Sequence, residues 1–221
     1  MNRDNIKLVC VLKSSPIYNS QYVDMLRAGF QKNKPKDTPV VFRCMSDQKK
    51  YPMHLKHSWK SWWCKMELFR PDIKGDILYM DLDTIIYKNL KPIIDICKNI
   101  SQPIMLAPLN SKSSIGSGVM WLPEICRQKI WDAWIEKPDF WMKKFRGDQN
   151  FIHHIYQKDL LEFQKLLPGC IVSYKWNCRH KVPDNAIIIC YHGAPRPHHT
   201  NWSPYFIQDA QTKKWVPINF K

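Results

Sequence analysis

Residues 76–81 constrain the fold more than any other part of the chain. They read Asp-Ile-Leu-Tyr-Met-Asp, are apolar through the centre and follow Gly75. A short, continuous apolar run after a turn residue is typical of a strand buried on both faces, as in parallel sheets covered by helices. This segment therefore predicts a central strand of an α/β sheet.

Strand-like and helix-like segments alternate over the rest of the chain, which favours an α/β sandwich around a mainly parallel sheet. The 221 residues suit one domain, residues 1–221, because chains split into domains beyond roughly 250–300 residues. Apolar segments predict strands at 8–12, 40–44, 76–81, 104–107, 119–122 and 187–191. Helical spacing predicts helices at about 18–32, 62–69, 123–135 and 148–157.

The charge is strongly basic, with 34 Lys and Arg against 19 Asp and Glu and a formal net charge of +15. Such a field attracts polyanions such as nucleotides, nucleic acids, anionic glycans or a membrane surface, although a solvated basic surface explains it equally well.

The cysteine spacing and the hydropathy exclude several classes of protein. None of the eight cysteines forms a CxxC pair, so neither a zinc ribbon nor a thioredoxin-type motif is indicated. No stretch approaches the roughly 18 apolar residues of a membrane span, and no secretory leader is recognisable. We expect a cytoplasmic protein with reduced thiols, in a bacterial or phage-infected cell.

The sharpest chemical motif is Asp81-Leu82-Asp83, directly after the predicted central strand. Residues i and i+2 of an extended chain point the same way, so both carboxylates can face one cation. Hard oxygen ligands suit Mg²⁺ or Mn²⁺, which commonly also bind a substrate diphosphate. Asp-x-Asp triplets also arise by chance in loops.

A second motif follows the predicted strand at 187–191 and reads His192-Gly193-Ala194-Pro195-Arg196. His192 can add a nitrogen ligand, which favours Mn²⁺ over Ca²⁺. Gly193 lets the backbone approach a phosphate, and Arg196 is a fork-shaped phosphate donor. Taken alone, a histidine such as His192 is more often a packed or surface residue than a metal ligand.

Together these motifs resemble GT-A glycosyltransferases, within them the glycogenin-like, family-8-like group and small bacterial and phage relatives. The resemblance extends in order over most of the chain. Its blocks are residues 9–14, 46–47, 63–69 (Trp-Cys-Lys-Met-Glu-Leu-Phe), 77–84 (Ile-Leu-Tyr-Met-Asp-Leu-Asp-Thr), 116–120 (Gly-Ser-Gly-Val-Met), 147–149 (Gly-Asp-Gln), 191–193 (Tyr-His-Gly) and 196–197 (Arg-Pro).

The resemblance implies a Rossmann-like GT-A domain that uses a nucleotide sugar, with UDP-sugars favoured, and a Mn²⁺ or Mg²⁺ ion. The implied metal ligands are Asp81, Asp83 and His192. The implied donor-site residues are Val11, Lys13 and Ser14 at the nucleotide base, and Lys65, Leu82, Ser117, Gly118, Gly193 and Arg196 elsewhere. The implied catalytic residues are Asp148, Gln149 and Lys65. Arg196 stands where relatives often have Lys. For Lys65 a solvated helix residue, and for Asp148 a helix N-cap, remain alternatives.

The acceptor is less defined. Residues 57–65 interleave Trp59, Trp62 and Trp63 with lysines, which suggests a hydroxylated base in modified phage DNA, held by basic residues and aromatic stacking. A cell-surface glycan is the alternative acceptor, because basic faces also bind anionic membranes. The alternative interpretation of the tryptophans is that they belong to the core. A metal-dependent nuclease or phosphohydrolase would need only the metal motif, and a non-catalytic nucleic-acid-binding protein would explain only the charge.

Overall fold

The computed structural model describes residues 6–108, 115–178 and 180–200, together with two short strands, Phe206–Gln208 and Trp215–Pro217. The strands are β1 (Ile6–Leu12), β2 (Val40–Ser46), β3 (Met53–His54), β4 (Asp76–Met80), β5 (Thr84–Ile86), β6 (Ile104–Leu106), β7 (Gly116–Leu122), β8 (Leu161–Glu162), β9 (Ile171–Ser173), β10 (Ile188–Cys190), β11 (Phe206–Gln208) and β12 (Trp215–Pro217). The α-helices are α1 (Ser20–Asn33), α2 (Lys91–Asn99), α3 (Glu124–Glu136), α4 (Pro138–Lys144), α5 (Asp148–Tyr156), α6 (Phe163–Leu166) and α7 (Tyr174–Asn177), with 3₁₀ segments at Ser61–Phe69, Gln157–Asp159 and Pro197–His199.

Seven strands form the central sheet in the order β3–β2–β1–β4–β7–β6–β8. Strand β1 pairs in parallel with both β2 and β4, and β6 pairs in parallel with β8. Only β7 is reversed among these strands, since it runs antiparallel to β4 and β6. The predicted α/β class with a mainly parallel central sheet is confirmed.

Both faces of this sheet are covered, as the continuous apolar strands require. Alternate residues of β1 enter different cores: Leu8 and Cys10 face the layer that contains α1 and α2, whereas Val9 faces the layer of Ser61–Phe69, α3 and α5. The same alternation divides β4, where Leu78 packs with the first layer and Tyr79 with the second. Period-2 alternation between two apolar layers explains why these strands read as unbroken apolar runs.

Helix α1 begins where the sequence supplies a cap. The side chain of Asn19 accepts a hydrogen bond from the Gln21 amide at 2.9 Å, which satisfies one unpaired donor of the first turn. The residues Val23, Leu26 and Phe30 recur at helical spacing and are buried against β1. The prediction of a helix over about 18–32 is therefore confirmed.

The segment predicted as a helix at 62–69 is helical but of the 3₁₀ type, Ser61–Phe69. Buried Glu67 accepts hydrogen bonds from the His57 amide at 2.6 Å and from Nδ1 of His57 at 2.8 Å, while Arg70 donates to it at 2.6 Å. These contacts tie residues before and after the segment together, and they fix its ends.

A second sheet of three strands, β5–β10–β9, returns the later part of the chain to the end of β4. Strand β10 runs antiparallel to β5, with Cys190 opposite Thr84, and parallel to β9. This pairing brings residues 191–196 beside the Asp81-Leu82-Asp83 loop. Strand β10 was predicted at 187–191, whereas β5, β9 and helix α2 were not anticipated.

No helix among the described residues is both long and apolar enough to cross a membrane. The assignment of residues 1–221 to a single domain includes terminal residues outside the described ranges and stays a prediction.

Candidate active site

The Asp81-Leu82-Asp83 loop leaves the carboxyl end of β4 in a fixed turn. The Asp81 amide donates to the Gly118 carbonyl at 2.8 Å, and the Thr84 amide donates to the Asp81 carbonyl at 3.1 Å. Leu82, between the two carboxylates, is 5% exposed and belongs to the core. The loop is thus anchored by an apolar side chain and by the neighbouring strand β7.

Asp83 is the buried carboxylate of the pair. Its Oδ2 accepts a hydrogen bond from the Tyr18 hydroxyl at 2.8 Å and lies 3.4 Å from a guanidinium nitrogen of Arg196. Burial and the neighbouring charge of Asp81 raise the pKa of Asp83 to about 7, although Tyr18 and Arg196 oppose this shift. An additional cation would be stabilised here, because its positive charge would favour the ionised form of Asp83 against burial and the repulsion from Asp81.

Asp81 is the more accessible carboxylate of the pair, with 33% of its side chain exposed. Its Oδ1 accepts a hydrogen bond from the Tyr79 hydroxyl at 2.5 Å and lies 3.2 Å from Nζ of Lys65. A Cβ added at Gly118 would lie 3.4 Å from Asp81 Oδ2, so the absence of a side chain at Gly118 leaves that oxygen uncovered.

Lys65 joins the loop to helix α5. Its buried Nζ lies 3.2 Å from Asp148 Oδ2 and donates to Ser117 Oγ at 2.9 Å, in addition to its contact with Asp81. Burial disfavours the ammonium, but the attraction of Asp148 and Asp81 outweighs burial and raises the pKa of Lys65. Lys65 is a buried cation here and not the solvated helix residue of the alternative interpretation.

Asp148 and Gln149 open helix α5. Asp148 is 3% exposed, and its carboxylate turns inward to Lys65. No side-chain cap of α5 is present, so the N-cap alternative for Asp148 is wrong: the residue is the first of the helix and Gly147 precedes it. Gln149 follows in the first turn and is half-buried.

His192 reaches the loop through its backbone neighbour rather than through its ring. The Tyr191 amide donates to the Asp83 carbonyl at 3.0 Å, whereas Nε2 of His192 is paired with Ser173 Oγ at 2.6 Å. Burial and the nearby charge of Lys175 lower the pKa of His192, so its imidazole is neutral at pH 7. That is the form that binds metals.

The predicted metal ligands were Asp81, Asp83 and His192, and the structure does not bring all three together. Within residues 6–108, 115–178 and 180–200, no three Asp, Glu, His or Cys side chains converge closely enough to hold a metal ion. Each predicted ligand is instead engaged by the protein: Asp81 by Lys65, Asp83 by Arg196 and His192 by Ser173. The metal assignment stays a prediction.

The donor set nevertheless fits a divalent cation at the two carboxylates. Asp81 and Asp83 offer hard oxygen donors on one short loop, and burial together with the nearby charge of Asp81 raises the pKa of Asp83. A cation bound to both carboxylates would offset the repulsion between them. Nε2 of His192 could serve as a third ligand only after leaving Ser173, because the two are paired at 2.6 Å.

Arg196 and Gly193 lie on the segment after β10. The guanidinium of Arg196 donates to the Tyr18 hydroxyl and lies over the Tyr18 ring, 4.8 Å from its centroid. Gly193 has φ +74°, a conformation that side chains disfavour, and Lys175 donates to the neighbouring His192 carbonyl at 2.6 Å. Arg196 therefore lies beside the Asp81-Leu82-Asp83 loop, and Gly193 lies on the same segment; their donor-binding roles stay predictions.

The residues predicted at the nucleotide base lie at the carboxyl end of β1. Val11 is buried, Lys13 is half-buried and Ser14 is exposed. The Ser14 hydroxyl donates to Asp47 at 2.9 Å, and Asp47 follows the last residue of β2. The structure brings these residues to the same sheet edge as Asp81.

Sequence reasoning missed three hydroxyl groups of this site: those of Tyr18, Tyr79 and Ser173. Tyr18 contacts Asp83, Tyr79 contacts Asp81 and Ser173 contacts His192. A tyrosine in an apolar run reads as a core residue, and the pairing of β9 with β10 could not be read from the sequence. The alternation of β4 was the only available signal, since Tyr79 and Asp81 are i and i+2 on one strand face.

The three tryptophans proposed as a stacking platform differ in burial: Trp63 is buried, Trp59 is half-buried and Trp62 is exposed. Trp63 stacks on Trp134 at 5.1 Å, and Trp59 stacks on His57 at 4.1 Å. Trp62 alone of the three is largely exposed, at 49%. The core alternative is therefore correct for Trp63, whereas Trp59 packs against the same core without being fully buried.

Comparison with solved structures identifies the fold of the chain. The chain is similar to the glycosyltransferase GlyE of Streptococcus pneumoniae TIGR4, with a TM-score of 0.60 and 11% identity over 88% of this chain and 56% of GlyE. It is also similar to an active-site mutant of LgtC, with a TM-score of 0.59 and 11% identity over 88% of this chain and 90% of that one. A third similar structure is the galactosyltransferase LgtC in complex with donor and acceptor sugar analogs, with a TM-score of 0.56.

The chain has the GT-A glycosyltransferase fold. It spans little more than half the length of GlyE but matches most of LgtC. No protein-family model matches the sequence, and a search of the curated proteins finds no match. At identities near 11% the likeness is one of GT-A architecture, so the activity has to be argued from the site.

Proposed function

We propose that this protein transfers a sugar from a nucleotide-diphosphate sugar, with a UDP-sugar favoured, to a hydroxyl acceptor. The observation that carries the proposal is the ion-paired group at the carboxyl edge of the GT-A sheet. In this group one buried lysine, Lys65, contacts both Asp81 of the metal motif and Asp148 of α5.

The electrostatics of this edge suit a diphosphate leaving group. Breaking the bond between the anomeric carbon and the donor phosphate leaves negative charge on that phosphate, so fixed positive charges nearby lower the barrier. Lys65 and Arg196 are cations that face the loop, and Gly193 would let the backbone approach the phosphate closely.

A Mn²⁺ or Mg²⁺ ion would be held by Asp81 and Asp83, with His192 as the proposed third ligand. When bound, the ion would supply Lewis-acid stabilisation of the diphosphate. In the ligand-free state, Arg196 and Tyr18 hold the Asp83 carboxylate in position.

The transfer breaks the bond from the anomeric carbon to the phosphate oxygen and forms a bond from that carbon to the acceptor oxygen. The acceptor hydroxyl loses its proton, and the nucleoside diphosphate leaves. Asp148, with Gln149 beside it, is the proposed group at the reacting carbon, as a base in an inverting reaction or as a stabiliser of positive charge in a retaining one. Ser117 and Gly118 would frame the donor sugar, and Val11, Lys13 and Ser14 would border the base.

The proposed acceptor is polyanionic, because the chain carries a formal net charge of +15. An anionic glycan and DNA with a hydroxylated base both fit that charge. LgtC has been solved with an acceptor sugar analog, which supports a saccharide acceptor by analogy of fold.

Donor turnover without added acceptor tests the proposal. The protein would be incubated with UDP-, GDP-, CDP- and TDP-sugars, with and without Mn²⁺, and nucleoside diphosphate release would be measured. We expect release from one donor class, dependent on Mn²⁺ and reduced at least about a hundredfold in Asp148→Asn. The matched control, Asp139→Asn, removes an exposed carboxylate from the first turn of α4. Cleavage of phosphodiesters without release from any nucleotide sugar would instead identify a nuclease.

A further inference from the structure

Trp62 is an exposed aromatic side chain at the start of a segment that is otherwise buried. The residues that follow it in the 3₁₀ segment, 63–69, are all buried, whereas 49% of Trp62 is exposed. The two neighbouring tryptophans, Trp59 and Trp63, each stack on another ring. No hydrogen bond or ring stacking engages the Trp62 indole within the residues that the structure describes. Trp62 therefore presents an open aromatic face to solvent.

The backbone that presents Trp62 is strained. Ser61, the residue before it, has φ +52°, in the left-handed region that residues other than glycine seldom adopt. Strained backbone persists only where the surrounding structure holds it, and it clusters at binding and catalytic sites. The 3₁₀ segment itself is nine residues long, whereas runs of more than about four residues are uncommon. The position of Trp62 is therefore maintained against the local preference of the chain.

The geometry of the 3₁₀ segment places Trp62 on the same face as Lys65. A 3₁₀ helix has about three residues per turn, so side chains at positions i and i+3 lie one above the other. With a rise of roughly 2 Å per residue, Trp62 lies one turn, or about 6 Å, from Lys65 along the axis. Nζ of Lys65 is buried and lies 3.2 Å from Asp148 Oδ2. Trp62 is thus the solvent-exposed end of the face that carries Lys65.

Gly147 places the Trp62 ring beside the proposed reacting group. Gly147 directly precedes Asp148, and a Cβ added to it would lie 3.3 Å from Nε1 of Trp62. Its φ is −164°, an extended conformation that any residue adopts, so the close approach of the Trp62 ring is what favours glycine here. Trp62 lies over Gly147 and Lys65 contacts Asp148, so the two segments meet at consecutive positions, with Trp62 at the outer end.

We infer that Trp62 is the stacking surface for the acceptor, and that the acceptor is a saccharide that presents a pyranose ring to it. This inference rests on the proposed function, because Asp148 marks where the reacting hydroxyl would lie. The C–H groups on one face of a pyranose carry partial positive charge and pack on the negative face of an indole. A sugar ring stacked on Trp62 would lie beside Gly147, with a hydroxyl directed inward to Asp148.

One open aromatic face favours a saccharide over nucleic acid. Single-stranded nucleic acid is bound by several aromatic faces on which successive bases stack, and a base taken out of a duplex is held between stacking side chains. Of the three tryptophans at 59, 62 and 63, Trp62 alone has an open face, because Trp59 and Trp63 already stack on other rings. A single pyranose needs only one such face.

Acceptor-stimulated release of nucleoside diphosphate tests this inference. The probes are lactose, the methyl glycosides of glucose, galactose, N-acetylglucosamine and glucuronic acid, and a short single-stranded DNA with a hydroxymethyl base. With donor and Mn²⁺ at saturation, we expect at least one saccharide, and not the DNA, to raise release above the acceptor-free rate. Trp62→Ala should raise the KM for that saccharide about tenfold. It should leave acceptor-free release within about twofold, because Trp62 is outside the proposed donor site.

Two matched variants separate stacking from a general loss of apolar surface. Trp62→Phe keeps an aromatic face and should hold the KM within about threefold of the native value. Phe140→Ala removes an equally exposed aromatic side chain, 49%, from α4 and should change neither the KM nor acceptor-free release. An unchanged KM in Trp62→Ala, an equal rise in Phe140→Ala, or release that no saccharide stimulates would overturn the inference.

Fluorine NMR separates this inference from the proposed function. The protein, with its 10 tryptophans replaced by fluorotryptophan, would be titrated with the same saccharides in the presence of UDP and Mn²⁺. The Trp62 resonance, identified by its absence from Trp62→Phe, should shift with the stimulating saccharide. If it does not move while turnover is stimulated, the stacking inference alone is wrong. If no donor is turned over, the proposed function fails; a saturable shift of the Trp62 resonance would then still support the stacking surface, and no shift would overturn it.

Discussion

Nζ of Lys65 lies 3.2 Å from Oδ2 of Asp148, and both side chains are buried. Because Lys65 also contacts Asp81 at the same distance, one ammonium links the loop after β4 to the start of α5. The two segments are far apart in sequence, so this contact fixes the relative position of the proposed metal motif and the proposed reacting group.

Replacing Lys65 should therefore affect folding as well as activity. Lys65→Met leaves two carboxylates near each other without their cation, and we expect the free energy of unfolding to fall by about 3–5 kcal/mol. Urea denaturation measures this change. The control Lys74→Met removes an exposed lysine 3.8 Å from Glu124 and should change stability by less than about 1 kcal/mol. Equal stability of the two variants would show that the Lys65 pairs are not formed.

Glu67 should be a second point of stability, at which no contact with the proposed metal ligands is involved. It is fully buried and accepts hydrogen bonds from His57 and Arg70. Glu67→Gln removes the charge that Arg70 faces, so we expect a loss of about 3 kcal/mol of unfolding free energy.

The matched control for Glu67 is Asp24→Asn, which alters an exposed pair with Arg27 at 3.1 Å. It should cost less than about 1 kcal/mol. In Glu67→Gln the nucleotide affinity of the protein that remains folded should be unchanged, because residue 67 does not contact the Asp81-Leu82-Asp83 loop. A loss of nucleotide affinity at unchanged stability would contradict the structural role of Glu67.

Much of this architecture was predictable because it depends on local patterns. The strand β4 was marked by an apolar run between Gly75 and Asp81, and α1 by its apolar spacing. The pairing of β7 was not predictable, since a buried apolar strand reads the same in either direction. Helix α2 was not predicted, although Ile93, Ile94 and Cys97 recur at helical spacing and are buried.

In the site, too, residues close together in sequence were predictable, whereas contacts between distant segments were not. Asp81 and Asp83 were found because they flank one residue after a strand. The partners of Asp83 are Tyr18 and Arg196, which come from opposite ends of the chain, and only the fold brings them together. The contact between His192 and Ser173 could not be predicted from the sequence, because it depends on the pairing of β9 with β10.

Arg196 should have opposite effects on cation and nucleotide binding. In the ligand-free protein its guanidinium lies 3.4 Å from Asp83, so it competes with a cation for that carboxylate. Arg196→Gln should therefore raise the affinity for Mn²⁺ alone several-fold and lower the affinity for nucleoside diphosphate about tenfold, because a fork donor for phosphate is lost.

Titration calorimetry with Mn²⁺ alone, and then with nucleotide at saturating Mn²⁺, measures both effects of Arg196. The control is Arg27→Gln, an exposed arginine paired with Asp24, which should change neither affinity. If both affinities fall together in Arg196→Gln, its role is structural and the competition does not exist.

The central claim is that Asp83 belongs to a cation-dependent nucleotide site, and thermal unfolding tests it most directly. Melting would be recorded with UDP, GDP, CDP and TDP, with and without Mn²⁺, for the native chain, Asp83→Asn and the exposed control Asp95→Asn. A ligand that binds only the folded state at a hundredfold excess over its Kd should raise Tm by roughly 5–10 °C. We predict such a shift for one nucleotide, only with Mn²⁺, retained in Asp95→Asn and abolished in Asp83→Asn. The absence of a shift with every nucleotide, or an equal shift in Asp83→Asn, would contradict the account.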